Sequence, residues 1–334
     1  MTPGNGTATS RAATTSPVTE RARTFVADHK PEAAALGRDV GELAGDPTSL
    51  VAALGAGLAR LADPEYRDGM NRVAPGIGPI LGVRQPLLRT VSRSLRAALR
   101  HDRSTTVLDI ADRLLRADLL ELHWIAFDLL ARTIREDPER TWQLVRGAAR
   151  TADNWITVDA LGHVVARGIV LEPYRWAELE QLVYSPSRWE RRLAGTTIAE
   201  IPTTDRTLGR TPEIARRGLA ILADLIGDRE PDVQKALSWA LRSMSGVDLA
   251  ATVTFLRAEA RTAAATDDGH RAWVIRDSLE KLPAPVAAEL RATVNGIRKH
   301  PLAPSTSLAA RTAADFIGLG IGVSPAERPI VARP

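Results

Sequence analysis

A chain of 334 residues with 44% apolar and 25% charged residues is ordinary for a folded protein, and its length suits one large domain or two smaller ones. It has no Cys and six scattered His without HExxH spacing, which excludes a disulfide framework and a thiolate site and leaves no metal or cofactor expected. The net charge is +4 with a pI near 9.8, and Lys occurs only at Lys30, Lys235, Lys281 and Lys299, so nearly all the positive charge is Arg. Arg forks onto phosphate oxygens, which permits nucleic-acid binding, but an Ala/Arg-rich, GC-rich genome explains the bias equally well.

The stretch from Met1 to Pro17 is rich in Gly, Thr, Ser and Ala and has neither a charged n-region nor an apolar segment. Residues 1–19 therefore read as a disordered cytoplasmic leader. No apolar run approaches the roughly 20 residues that cross a bilayer, so no membrane partner is expected. Between Glu20 and Ala62 the apolar positions Val26, Ala33, Leu36 and then Val51, Leu54, Leu58, Leu61 recur at helical spacing and predict two helices. Asp63-Pro64-Glu65 offers an N-cap, a Pro suited to the first helical position and an acid for the positive helix end. The Pro/Gly run from Ala74 to Pro79 predicts a loop.

From Leu81 onward the chain falls into paired helices. Stripes such as Leu87/Val91/Leu95/Leu99 and Trp124/Phe127/Leu130/Ile134 each supply one buried face. Asp137-Pro138-Glu139 and Thr211-Pro212-Glu213 read as helix starts, and Ser187-Arg188-Trp189-Glu190 reads as a capping box with Glu190 returning to the Ser187 amide. First helices begin near Asp118, Asn154, Arg188 and Asp232, at intervals in the roughly 33-to-47-residue range of helical-pair repeats such as HEAT or armadillo. The predicted fold is all-α, an α-solenoid of HEAT-like pairs over residues 20–300 with a concave face able to hold an elongated partner. Residues 301–334 turn to Pro, Ser, Ala and Gly and read as a tail or a loosely docked segment.

Three consecutive first helices carry a Trp with a charged residue one turn later: Trp155 with Asp159, Trp189 with Arg192, and Trp239 with Arg242, the last preceded one turn earlier by Lys235. Equivalent positions in a solenoid stack side by side, so these groups are expected on one surface. Each has a structural alternative. Trp is more often a core residue, and Arg192 could pair with an acid on the neighbouring repeat. Asp159 is harder to dismiss, because it stands mid-helix between Val158 and Leu161, where Asp has poor propensity and no capping role.

Four stretches in this order resemble the DNA alkylation repair glycosylases built from HEAT-like repeats. They are Leu81-Gly82-Val83-Arg84-Gln85-Pro86, Asn154-Trp155-Ile156-Thr157-Val158-Asp159, Trp189-Glu190-Arg191-Arg192-Leu193-Ala194, and the run from Gln234 to Arg242. The resemblance spans roughly Leu81 to Met244. It implies that Asp159 is the catalytic carboxylate, Trp155 and Trp239 are the cleft tryptophans, and Arg192 contacts the DNA backbone. Lys235 and Arg242, with Arg188, fall among the further basic DNA-binding positions. The family's N-terminal aromatic contact has only Tyr66 as a candidate. The implied partner is double-stranded DNA containing N3- or N7-alkylated purines, bound by a cytoplasmic, nucleoid-associated monomer without metal or cofactor. Because such a purine is already cationic, one carboxylate would suffice to stabilise the sugar cation and place a water. Protection against a DNA-alkylating natural product is a reading by analogy. The rival readings are a non-catalytic HEAT-repeat scaffold and a DNA-structure-binding protein.

Overall fold

The computed structural model describes residues 17–300 and 302–317. Most of the expected leader and the far part of the expected tail lie outside the described residues. Among those residues the fold is all-α: sixteen α-helices and no strand, with one isolated bridge between Ala62 and Val83. The described residues divide into two units, one holding Pro17–Gly69 with Leu81–His101, the other Met70–Ile80 with the described residues from Asp102 to Ile317.

The smaller unit is built on α1 (Pro17–Gly41), α2 (Pro47–Arg60), the first part of α3 (Pro64–Val73) and α4 (Gln85–Ala98), with α1 packed along α4. Asp-Pro starts organise it. Asp46 accepts from the Ser49 amide at 3.2 Å, and Asp63 accepts from the Glu65 amide at 3.1 Å, as expected for N-caps. Asp63 is fully buried, and Arg84 Nε donates to its Oδ2 at 2.7 Å while the guanidinium lies 5.2 Å from the Tyr66 ring centre. Gly82 makes this approach possible. Its φ of +87° belongs to the left-handed region, and a Cβ there would come within 2.5 Å of the Arg67 Cβ. The Leu81-Gly82-Val83-Arg84 stretch is thus a turn that delivers Arg84 to Asp63.

The larger unit contains α5 (Ser104–Arg116), α6 (Leu120–Thr133), α7 (Pro138–Thr151), α8 (Trp155–Leu171), α9 (Trp176–Val183) and α10 (Arg188–Thr204). It continues through α11 (Pro212–Leu225), α12 (Pro231–Ser245), α13 (Leu249–Thr266), α14 (Gly269–Ser278), α15 (Ala284–Thr293) and α16 (Leu308–Ile317). Helices α6, α8, α10, α12 and α14 pack in succession as one row, while α9, α11, α13 and α15 follow one another in the second. This is the α-solenoid that the periodicity predicts, and its first helices start at Leu120, Trp155, Arg188 and Pro231, with Gly269 opening a further pair.

The caps at Asp137 and Thr211 form as expected, accepting from Arg140 N at 3.4 Å and Ile214 N at 3.3 Å. The capping box at Ser187 does not: its side chain makes no cap bond. The Ser187 amide donates to Ser185 Oγ at 3.0 Å, and that hydroxyl in turn donates to Glu190. A preceding Ser, closer to both groups, replaces the reciprocal box. In the described part of the C-terminal segment, the Thr306 amide donates to the Gly227 carbonyl at 3.0 Å and its hydroxyl to Asp268.

Small residues bring the first-helix row together. A Cβ on Gly162 would meet Thr196 Cγ2 at 2.4 Å, and one on Gly195 would meet Ala236 Cβ at 3.0 Å. Gly162→Ala should therefore destabilise the chain by about 1 kcal/mol, overpacking of about 1 to 3 kcal/mol exceeding the helix-propensity gain of about 1. Urea unfolding checks this. In the smaller unit, burial alone would raise the Asp63 carboxyl, but the hydrogen bond and charge of Arg84 outweigh it and hold the group below its ordinary 3.8. The stabilisation from Asp63 is complete above that ordinary value and is lost as pH falls through the lowered one. Asp63→Asn should cost about 2 to 3 kcal/mol at neutral pH and flatten the acid limb of stability against pH.

Candidate functional site

Helix α8 begins where the Asn154 side chain accepts from the Thr157 amide at 2.9 Å, which fixes the rotation of everything after it. Ile156, Val158 and Leu161 turn into the core. Trp155, Asp159 and His163, spaced four apart, share the opposite edge. Trp155 is half-buried, one part packed against Ala74, Ile77, Leu120 and Ile156.

Asp159 meets α10. Arg192 donates from Nε to Oδ1 at 2.9 Å and from its second terminal nitrogen to Oδ2 at 2.7 Å, a bidentate fork. Thr196 Oγ1 adds a third bond to Oδ1 at 2.9 Å. The Asp159 side chain keeps 23% of its surface exposed, whereas Arg192 keeps 6%. The remaining nitrogen of Arg192 donates to the Asp232 carbonyl on α12 at 2.6 Å, and its guanidinium carbon lies 6.0 Å from the Trp155 ring centre. All three guanidinium nitrogens of Arg192 donate within the protein, and the side chain is almost wholly buried. Its pairing with an acid on the neighbouring repeat is the alternative that the sequence left open. What faces outward is the carboxylate.

One turn further along the α8/α10 seam, His163 Nδ1 lies 3.6 Å from Glu200 Oε2. Burial raises the Glu200 carboxyl, but hydrogen bonds from His163 and Thr203 bring it below its ordinary value.

The other expected residues lie on the neighbouring first helices. On α12, Lys235 is exposed and Trp239 half-buried, and neither makes a hydrogen bond to Asp159 among the described residues. Arg242, at the end of α12, donates to the Asp277 carbonyl at 2.7 Å and to its Oδ2 at 3.2 Å. Arg188 is exposed, with its guanidinium 4.7 Å from the ring of Trp189, which is itself buried. Of the three expected Trp positions, Trp155 and Trp239 are therefore partly open, and Trp189 is core.

Sequence reasoning missed Thr196, which orients the carboxylate, and a fourth member of the series. Trp273 and Asp277 on α14 repeat the four-residue spacing of Trp155 and Asp159. Extending the register one more pair would have found them. Thr196 carries no such signal, since its role depends on how closely α8 and α10 approach.

The family model described as DNA alkylation repair enzyme matches residues 54–282. Among solved structures, the chain is similar to a predicted DNA alkylation repair enzyme from Enterococcus faecalis. The match is 17% identical with a TM-score of 0.47, covering 72% of this chain and 98% of that one. No curated protein matches the chain. Because the family model spans most of its length, from α2 through the start of the fifth helical pair, the chain belongs to the DNA alkylation repair enzyme family.

Proposed function

We propose that the chain is a monofunctional DNA glycosylase that hydrolyses the N-glycosidic bond of cationic N3- or N7-alkylated purines in double-stranded DNA, bulky adducts included. The observation that carries this reading is the Asp159 carboxylate, fixed by three hydrogen bonds yet still partly open beside a half-buried Trp. An alkylated purine leaves with the electron pair of the breaking C1′–N bond and becomes neutral, so no acid has to protonate it. Asp159 stabilises the positive charge developing on the sugar and orients a water, whose oxygen bonds to C1′ and whose proton passes to the carboxylate and then to solvent. Trp155 and Trp239 offer π faces to the cationic nucleotide, worth about 0.5 to 2 kcal/mol per contact. Lys235 and Arg188, both exposed, serve phosphates, while Arg192 acts indirectly, as the clamp that orients Asp159. We read the protein as a monomer acting at the nucleoid, and no described helix is long and apolar enough to cross a membrane.

One observation favours a second reading. The Asp159–Arg192 pair also joins α8, α10 and α12, so in a non-catalytic scaffold it would serve only as a clasp between repeats.

Base release separates the two. Asp159→Asn should retain binding to undamaged duplex and lower the single-turnover rate of release of 3-methyladenine or 7-methylguanine by about 100- to 1000-fold. The abasic product is scored by alkaline cleavage, and undiminished release would sink the assignment. Thr196→Val keeps the side-chain shape and removes one bond to Oδ1. It should cost about 1 kcal/mol of stability and slow base release less than Asp159→Asn does. A Thr196→Val protein that loses stability but releases base at the full rate would limit Thr196 to packing, and release of no base by the wild type would favour the scaffold.

A further inference from the structure

A cavity of about 590 Å³ opens within the larger unit where α5 and α7 end and α6 and α8 begin, with the Ile77-Gly78-Pro79 turn along one side. Its lining is mostly apolar, with Leu115, Leu119, Phe127, Leu144 and Ala148 as walls. Ile77 and Leu120 also line it, and both belong to the cluster packed against Trp155. Neither Trp155 nor Asp159 lines it, so the cavity is separate from the edge of α8 that carries them.

The polar groups of the cavity are mainly acceptors. Thr157 is only 7% exposed, yet its hydroxyl bonds to no described group and is not sealed off, so it opens onto the cavity. His123 Nε2 donates to the Ala117 carbonyl at 2.7 Å. In the neutral ring this leaves Nδ1 with a lone pair, and Nδ1 has no partner among the described residues. At the mouth, Asp112 pairs with Arg116 at 2.8 Å. Asp118 pairs with no described cation, and Asp153 accepts only from the Asn154 side-chain amide, at 2.9 Å. Two negative and two positive helix ends meet here and offset one another, so Asp118 and Asp153 stay uncompensated among the lining residues.

A water-filled groove between helix pairs is the plain alternative, but packing does not require the space. A Cβ on Gly147, inside α7, would meet nothing within 4 Å, whereas one on Gly168 would meet Trp142 at 2.7 Å. Packing thus accounts for the second glycine and not for the first. Ala is the better helix former, so Gly147 keeps the cavity open at the expense of its helix. An enclosed hydroxyl without a protein partner is likewise unfavourable unless something fills the space beside it.

We propose that this cavity binds a flat aromatic cation bearing N–H donors. The ring lies on the wall formed by Phe127 and Leu144, the N–H groups donate to Thr157 Oγ1 and His123 Nδ1, and Asp118 and Asp153 favour the positive charge. The site does not depend on the activity proposed for Asp159.

Proflavine, a planar diamino cation, is the probe, held at fixed concentration while the protein is titrated in without DNA, and read by fluorescence anisotropy. Gly147→Leu fills the cavity and should weaken binding about tenfold or more. Thr157→Val keeps the side-chain shape without the hydroxyl and should weaken it about fivefold, the loss of one hydrogen bond. Anthracenesulfonate, of similar size but anionic and without N–H donors, should bind about tenfold more weakly than proflavine. Gly55→Leu, at a glycine of α2 whose Cβ is equally free and which lies outside the cavity, should bind proflavine as the wild type does. Thermal melting verifies that the variants are folded, and Thr157→Val decides the matter if Gly147→Leu is not. Proflavine binding that either folded cavity variant leaves unchanged overturns the site. So does an equal loss in Gly55→Leu, equal binding of the anion, or no binding by the wild type.

Discussion

The bidentate contact between Asp159 and Arg192 sets the geometry on which the rest of the candidate site depends. At an effective dielectric near 20, two charges about 4 Å apart attract by roughly 4 kcal/mol. Much of that is offset by withdrawing Arg192 almost entirely from water. The net stabilisation is therefore small, and what the pair supplies is orientation. A planar fork onto both oxygens, with Thr196 on one of them, allows the carboxylate few rotamers. In the glycosylase we propose, a carboxylate that faces a developing cation gains from being held before the reaction starts, because no reorganisation is then required during it.

That contact exists only because the helices are close. Gly162 lets Thr196 approach α8, and Gly195 lets α12 approach α10, so Arg192 reaches a carboxylate on one neighbour and a backbone carbonyl on the other. Helix α10 is consequently buried along nearly its whole length, with polar side chains enclosed along with apolar ones. The Asp159–Arg192 pair is coupled to the packing of the row, so a change that widens one interface by a fraction of an ångström is felt at the carboxylate.

The elements of the fold were legible because helical periodicity and Asp-Pro or Thr-Pro starts are local signals, and three of the four expected first-helix starts lie within two residues of the observed ones while the fourth coincides. Trp155 and Asp159 were legible as a pair for the same reason, their spacing being a property of one helix. What joins them to Arg192 is not local. Whether an Arg points to solvent or folds onto an acid thirty-three positions away depends on the separation of two helices, and that separation is set by a Gly and a Thr with no pattern of their own. The capping box at Ser187 failed for a similar reason: the motif was present, but a Ser two residues earlier lay within reach of the same groups.

The protein contains a further cluster of Trp, Arg and acid, and it differs from the one at Asp159 in how far it is enclosed. Around α7 and α9, Arg175 is wholly buried, lies 4.4 Å from the Trp142 ring centre and pairs with Glu139, Glu172 and Glu178. The Trp142 indole N–H donates to Glu178 at 2.5 Å. Three acids surround Arg175 there, Arg146 also pairs with Glu178, and the indole is buried with its N–H partnered. At Trp155 the ring is only half covered, and the acid retains an open side although its hydrogen bonds are good. The same residue types thus build, around α7 and α9, a staple whose cation is wholly enclosed and, on the first row, a pair whose acid keeps part of its surface open.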